Sequence, residues 1–242
     1  MSLDRSQTCA VAIMAKAPRP GHVKTRLQRV LRPDQAAALG TAFLCDTLAN
    51  LGQAASHAPI APFVAYAPAG EESRFDGLLP PGVALLLADG AGGCAPGVEG
   101  FGCVLLETIR ALLAAGYAAA CVLAADSPTL PTAELIRMAD LLLAGACDAA
   151  LGPVADGGYY VLGLRQPCAA AFARIRWSTQ HACADTRAQL AASGLRTAEL
   201  RTWFDVDDPA SLQRLLAAAD GYPAPHTRAA IDELGLRVPS IA

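Results

Sequence analysis

The first 150 residues alternate short apolar runs with longer segments of helical periodicity. Apolar runs at residues 8–15, 62–66, 83–88 and 119–125 predict buried strands. Segments 34–51 and 98–115 predict the helices between them, which we expect Gly52 and Gly116 to end. This alternation indicates an α/β fold with a right-handed, mostly parallel, doubly wound sheet and helices on both faces.

The remaining sequence is less regular but continues the same pattern. Pro131 and Gly145 bound a predicted helix, and residues 181–193 predict another. Residues 148–151, 159–164 and 196–200 predict strands, with turns at Gly152-Pro153 and at residues 156–158. Asp208 before a proline predicts a helix N-cap. We therefore expect a single domain over residues 8–220, with an extension over residues 221–242 packing on it.

Charge and hydropathy exclude several functions. The net charge of −3 lacks the basic surface that nucleic acid or an anionic membrane would require. No apolar run reaches the length of about 18 residues that suggests a membrane-spanning helix, and the first residues lack a secretory signal. We expect a cytoplasmic monomer or homodimer.

The eight cysteines contain no C-x-x-C pair, and several lie in apolar stretches. This pattern predicts small buried thiols in a reducing compartment, without a thiolate metal site.

The loop after the first predicted strand combines glycine, prolines and cations. It holds both lysines of the chain, Lys16 and Lys24, although the chain has 19 lysines and arginines together. Ligands of doubly wound sheets bind at the carboxyl ends of the strands, where this loop begins. A cationic loop with free backbone amides suits a polyphosphate, whereas a solvated basic turn is the simpler alternative. The candidate nucleotide-binding residues are Lys16, Ala17, Arg19, Gly21, Lys24 and Arg26.

Carboxylates follow the strands at two further places. Asp126 comes directly after the buried run at residues 119–125, where it could hold Mg²⁺ or Mn²⁺ against a diphosphate or simply cap a turn. Asp205 and Asp207 project to the same side if their segment is extended. These three residues are the candidate metal ligands, with a surface loop as the alternative for the last two.

The segment Asp156-Gly157-Gly158-Tyr159 is a tight turn that enters a strand. Its glycines would allow a second substrate to approach the backbone, so these four residues are candidates for acceptor binding. A plain hairpin turn is the alternative.

Taken together, five segments carry a more specific resemblance. In chain order they read KAPRPGHVKTRL, AADSPTL, LGPVADGGYYVLGL, RWST and FDVDDP. This order resembles the bacterial glycosyltransferase-A-like family of nucleotide-diphospho-sugar transferases, one branch of which is named for arsenosugar biosynthesis. More distantly, the chain is similar to 2-phospholactate guanylyltransferase and molybdenum cofactor guanylyltransferase.

The resemblance implies roles for the same candidates. Gly21, Lys24 and Arg26 would meet the nucleotide phosphates, Asp126 would bind metal, and the Asp205 and Asp207 pair would share it. One departure stands out, because residues 92–102 lack the Leu-Gly and the Arg of the G-x-L-G-x-R-M segment common in relatives. Contacts from this loop to the donor are therefore in question.

The sequence thus predicts a metal-dependent transferase that uses a nucleotide-activated donor and a small-molecule acceptor, with Asp126 and Lys24 as catalytic residues. A nucleotide-diphospho-sugar (glycosyl) transferase is favoured. A nucleotidyltransferase that moves an NMP from an NTP to a small phosphorylated acceptor is the alternative. A non-catalytic nucleotide-sugar-binding protein is the alternative from another class.

Overall fold

A computed structural model describes residues 4–237 of the chain. It contains a seven-stranded sheet in the order β3-β2-β1-β4-β6-β5-β7. The strands are β1 Cys9–Lys16, β2 Ile60–Ala67, β3 Ala84–Leu87, β4 Ala119–Ala124, β5 Ala149–Pro153, β6 Tyr159–Leu164 and β7 Thr197–Glu199. The helices are α1 Pro33–Ala55, α2 Phe101–Ala114, α3 Thr132–Leu143, α4 Ala182–Ala192, α5 Pro209–Ala217 and α6 Pro225–Glu233.

The sheet is parallel except for β6, which runs antiparallel to both β4 and β5. Alternate residues of β1 face opposite layers, as the period of a strand requires. Val11 and Ile13 pack in the layer with α1 and α3, whereas Ala10 and Ala12 pack in the layer with α2 and α4. The predicted doubly wound α/β fold with helices on both faces is confirmed.

The strand order reverses between β1 and β4, because the chain continues from β1 to β2 in one direction along the sheet and from β4 to β5 in the other. In doubly wound sheets a crevice opens at such a switch point, outside the carboxyl ends of the two strands. The loops that begin after Lys16 and after Ala124 therefore border the same crevice.

Three predicted boundaries are wrong. Helix α1 continues through Gly52 to Ala55, because burial of Leu51 and Ala54 outweighs the cost of about 1 kcal/mol for a mid-helix glycine. Helix α2 begins at Phe101 rather than residue 98, since Gly100 before it has a φ of 53°.

The predicted turn at Gly152-Pro153 is instead the end of β5, where its pairing with β6 shifts register. Gly152 belongs in the strand because Tyr160 of β6 lies over it. A Cβ at Gly152 would approach the Tyr160 ring within 2.3 Å.

The prediction that every cysteine is a free thiol is also wrong. Cys94 and Cys103 form a disulfide, with Cα atoms 5.2 Å apart. The chain turns back between them, which brings their side chains together although the sequence shows no disulfide motif. Cys9, Cys121, Cys147 and Cys183 are free and buried, as expected.

Helix α6 packs on α1 through a buried carboxylate. Asp46 of α1 accepts hydrogen bonds from the backbone amides of His226 and Thr227 at 3.0 and 2.6 Å. It thereby caps the first turn of α6, a role in which a carboxylate is favoured. The predicted extension also includes residues 238–242, which lie outside the described residues. Between residues 4 and 237, no helix is long and apolar enough to cross a bilayer.

Candidate active site

Lys24 lies at the centre of the site, and its side chain is 7% exposed. It belongs to the loop after β1 and adopts a φ of 48°, which is uncommon for a residue other than glycine. Its ammonium group lies 2.7 Å from Asp126 Oδ1 and 2.9 Å from Asp207 Oδ1, and donates to the Val206 carbonyl at 2.8 Å. Its three N–H groups thus have three oxygen partners.

Charge balance keeps this lysine protonated. Burial disfavours the ammonium ion, but attraction to Asp126 and Asp207 outweighs burial, so the pKa of Lys24 is raised. The Phe43 ring also lies 5.3 Å from the ammonium nitrogen, in a cation–π arrangement.

Backbone pairing explains how Asp207 comes to lie beside Lys24, which is distant from it in sequence. After β7 the chain runs beside the end of β5, where Trp203 pairs with Val154 in an isolated parallel bridge. The amide of Val206 then donates to the carbonyl of Asp126 at 2.8 Å, which fixes this segment to the end of β4. Next, Asp208 caps α5 by accepting from the Ser211 amide at 2.8 Å, as predicted.

Asp205 completes a group of like charges. Burial, followed by the charges of Asp207, Asp156 and Asp126, raises the pKa of Asp205 to about 7. Asp126, Asp156, Asp205 and Asp207 are called the acidic group below. Three of these carboxylates come from the predicted metal ligands and the fourth from the predicted acceptor turn.

A cleft of about 560 Å³ opens above Lys24. Its charged lining residues are Lys16, Lys24, Arg26, Asp89, Asp126 and Asp207. The apolar part of the lining comes from β1, β2 and α2 and from the residues that follow β2 and β3, among them Met14, Ala65, Pro68, Ala88, Phe101 and Val104. A volume of this size accommodates a nucleotide-sized ligand.

The predicted nucleotide-binding residues divide into two sets. Lys16, Lys24 and Arg26 line the cleft. Arg19 instead forms an ion pair with Glu71 at 3.2 Å. Ala17 is buried, and Gly21 is exposed with a φ of 83°, so these two shape the loop.

The predicted acceptor residues lie beside the cleft rather than in its lining. The Asp156 side chain is exposed, and its Oδ1 accepts from the Gly158 amide at 2.8 Å. Gly157 adopts a φ of 94° against the Gln180 backbone. The Tyr159 hydroxyl is buried, and desolvation raises its pKa.

The loop that departs from the expected G-x-L-G-x-R-M pattern carries the disulfide. Cys94 and Cys103 tie it to the first turn of α2, two residues from Phe101. Sequence reasoning missed Phe101, since its exposure at a cleft cannot be read from a helical pattern. The sequence predicted strands β1, β2 and β3, which end at the cleft, but it did not indicate that Phe101 lines the same cleft.

The fold and this site define a protein with the nucleotide-diphospho-sugar transferase fold, which is glycosyltransferase-A-like. A candidate nucleotide-diphospho-sugar transferase from Desulfovibrio desulfuricans G20 is 26% identical, with a TM-score of 0.79 and coverage of 95% of both chains. More particularly, a family model described as "Uncharacterized protein conserved in bacteria (DUF2064)" matches residues 47–179, more than half of the chain. The chain belongs to this family.

Two more distant structures share the fold. CMP:2-keto-3-deoxy-manno-octonic acid synthetase, solved with CTP, is 15% identical with a TM-score of 0.52, over 86% of this chain and 96% of that one. A cytidylyltransferase from Leptospira borgpetersenii serovar Hardjo-bovis is 14% identical with a TM-score of 0.52, over 94% of this chain and 95% of that one. No curated protein matches the chain. The arsenosugar branch and the two guanylyltransferase similarities stay predictions.

Proposed function

We propose that this chain is a metal-dependent glycosyltransferase that uses a nucleotide-diphospho-sugar donor. The observation that carries the proposal is the meeting of Lys24, Asp126 and Asp207 in the lining of the cleft, at the switch point of the sheet. The neighbour from Desulfovibrio desulfuricans supports the same class.

The available positive charge favours a diphosphate over a triphosphate. Arg19 is already paired with Glu71, and Lys24 is compensated by two carboxylates. Lys16 and Arg26 remain in the cleft lining, and the 3.9 Å ion pair from Arg26 to Asp207 is solvent-exposed and weak. Before a metal ion binds, these two cations match the charge of a sugar-linked diphosphate, whereas an NTP would bring roughly twice that charge.

The acidic group fits a divalent cation in charge but not in its present arrangement. Asp126 and Asp207 share a single ammonium ion, and the pKa of Asp205 is raised, so the group carries excess negative charge. Within residues 4–237, no three side chains are placed to hold a metal together. Asp126, Asp205 and Asp207 would hold Mg²⁺ or Mn²⁺ only after the Lys24 side chain moves aside and the three carboxylates move closer together. A metal held there supplies charge neutralisation to the donor diphosphate.

In the proposed reaction, an acceptor hydroxyl oxygen forms a bond to the anomeric carbon of the donor sugar. The bond from that carbon to the diphosphate oxygen breaks, the nucleoside diphosphate leaves, and the hydroxyl proton passes to solvent. Lys16, Lys24 and Arg26 stabilise the charge that develops on the leaving diphosphate. The protein otherwise contributes positioning.

Calorimetry with a panel of nucleotide-diphospho-sugars and NTPs, with and without Mg²⁺ or Mn²⁺, tests this proposal. We expect binding of a diphospho-sugar that depends on the metal and is lost in Asp126→Asn. Asp140→Asn is the matched control, because Asp140 is exposed on α3. An Asp126→Asn protein that binds donor and metal normally would contradict the proposal.

Turnover separates the alternatives. Release of a nucleoside diphosphate supports glycosyl transfer, whereas release of pyrophosphate indicates the alternative nucleotidyltransferase. Binding without either product, over a panel of acceptors, indicates a non-catalytic nucleotide-sugar-binding protein.

A further inference from the structure

The segment Arg176-Trp177-Ser178-Thr179 has no role in the site described so far, yet it is firmly anchored. The Arg176 guanidinium makes two bonds to Asp185 of α4, at 2.8 and 2.7 Å, and its backbone amide adds a third at 3.1 Å. This pairing lowers the pKa of Asp185 to about 2. The Thr179 hydroxyl donates to the Arg176 carbonyl at 2.7 Å, which closes the loop.

Two residues of this region adopt a costly backbone conformation. Arg174 and Ser178 have φ values of 58° and 60°. Left-handed conformations of this kind cost about 1–2 kcal/mol for residues other than glycine. Such strain persists where surrounding contacts impose it, and it is concentrated at functional sites.

The anchoring presents the indole ring of Trp177 to its neighbours. Trp177 lies against the backbone of α2 at Gly102, where a Cβ would be 3.0 Å from the indole nitrogen. Its ring meets Phe101 edge to face, with centroids 5.7 Å apart. On the other side it meets Tyr159 with centroids 6.3 Å apart. Phe101, Trp177 and Tyr159 are called the aromatic row below.

The aromatic row connects the cleft to the Asp156 turn. Phe101 lines the cleft. At the other end, the Gly157 carbonyl accepts from the Cys183 amide at 2.9 Å, and a Cβ at Gly157 would lie 2.0 Å from the Gln180 carbonyl oxygen. The turn and the tryptophan loop therefore pack as one unit.

Packing alone does not explain Phe101. It is 50% exposed, whereas Phe43, Phe75 and Phe172 are at most 1% exposed. A phenyl ring left half in water forgoes part of the roughly 1.5–3 kcal/mol that full burial provides. An exposed ring at a cleft, held in place by a second ring, is suited to stacking on a ligand.

We propose that Phe101 and Trp177 form the acceptor subsite, in which Phe101 stacks on the apolar face of a neutral, hydroxylated ring such as a sugar or cyclic polyol and Trp177 holds Phe101 in place. The Asp156 carboxylate would accept hydrogen bonds from the hydroxyl groups of the bound ring. This inference rests on the proposed function, since it assigns the second substrate of the same transferase.

Charge selects against other acceptors. The exposed Asp156 carboxylate lies on the turn that packs against the tryptophan loop, so this side of the site carries negative charge. A phosphorylated acceptor would bring negative charge to this side of the site and be repelled. A neutral ring meets no such repulsion, and its hydroxyl groups match the carboxylate acceptors.

The two tryptophans of the chain allow a direct binding test. Trp203 is 4% exposed and distant from the aromatic row in sequence, so a Trp203→Phe protein reports the fluorescence of Trp177 alone. We would titrate this protein with methyl glucoside, methyl galactoside and myo-inositol as neutral cyclic probes, with glucose 6-phosphate as the charged probe and glycerol as the acyclic one.

We expect a saturable fluorescence change with at least one neutral ring and none with glycerol or glucose 6-phosphate. Phe101→Ala in the same background should raise the dissociation constant about fivefold or more, as expected for loss of an aromatic contact. Tyr117→Leu is the matched control, because Tyr117 forms an edge-to-face pair with Phe63 instead. No saturable change with any neutral ring, or an unchanged affinity in Phe101→Ala, overturns the inference.

The outcome is separable from that of the proposed function. Donor binding is measured by calorimetry without any acceptor. If donor binds but no neutral ring does, only the acceptor assignment fails. If a neutral ring binds through Phe101 but no nucleotide donor binds in the cleft, the proposed transferase fails while the ring site stands.

Discussion

Replacing Lys24 by methionine tests whether its ammonium ion holds the carboxylates of the site together. The side chain becomes one atom shorter and keeps an unbranched apolar stem, but it loses the charge that lies 2.7 Å from Asp126 and 2.9 Å from Asp207. At these distances each ion pair is worth about 6 kcal/mol before desolvation, at an effective dielectric constant of about 20.

The net effect on stability is smaller than this gross attraction. Burial of the ammonium ion cancels part of it, and the two carboxylate side chains are 40% and 35% exposed, so water screens what remains. Breaking a fully buried pair costs about 3–5 kcal/mol. For these half-exposed partners we expect a loss of about 2–3 kcal/mol, which corresponds to about 4–12 °C in Tm for a chain of this size.

Urea denaturation and thermal melting at pH 7 in EDTA measure this loss. Lys16→Met is the matched control, because Lys16 is the other lysine of the loop and is exposed, so its loss should stay within about 0.5 kcal/mol. Adding Mn²⁺ should restore part of the stability of Lys24→Met, since a divalent cation can then neutralise Asp126 and Asp207. A Lys24→Met protein as stable as the control, with no response to Mn²⁺, would refute this account of the site.

Three further changes test the packing, the electrostatics and the loop. Gly152→Ala places a Cβ 2.3 Å from the Tyr160 ring, so we expect a loss of about 1–3 kcal/mol in urea denaturation, and a loss below 0.5 kcal/mol would contradict this packing. The pKa of Asp205 is raised to about 7, chiefly by burial. Its folded-state pKa therefore exceeds the unfolded value of about 3.9, and the wild type should lose about 1–2 kcal/mol, after allowance for screening, as pH rises from 4 to 8 in EDTA. The stability of Asp205→Asn should not fall over this pH range. Parallel pH profiles of stability for the two proteins would contradict the raised pKa of Asp205. Reducing the disulfide of Cys94 and Cys103 should lower wild-type stability by about 2–3 kcal/mol, from the loop-closure relation, whereas Cys94→Ser should not respond to dithiothreitol.

Much of the fold follows from local patterns. The buried strands β1 and β4 carry uninterrupted apolar runs, and the helices between strands carry one apolar face, so the alternation alone predicts a doubly wound sheet. Helix ends were harder to predict from single residues. Gly52 is a plausible helix stop, yet α1 continues to Ala55, with Ala54 buried after the glycine.

The site was predicted in part. Placing Lys24 and Asp126 at the ends of β1 and β4 brings them to one crevice, and the structure sets them 2.7 Å apart. Asp207 joins these two residues because residues 203–206 pair with the ends of β5 and β4. This pairing is between distant parts of the chain, so no local sequence pattern predicts it. The positions of Phe101 and Trp177 depend likewise on how α2 packs against the loop that precedes α4.

In the proposed function, Lys24 lies between the donor side and the acceptor side of the site. It comes from the loop whose cations line the cleft, yet its ammonium ion neutralises carboxylates that belong to the acidic group. A single side chain cannot fully serve a diphosphate and two carboxylates at once, because its three N–H groups are already committed. A donor that draws Lys24 towards its phosphates would leave Asp126 and Asp207 uncompensated, and a divalent cation would then be needed in its place. In the proposed function, the lysine would keep like charges together before the donor arrives, and donor and metal would each bind more favourably in the presence of the other.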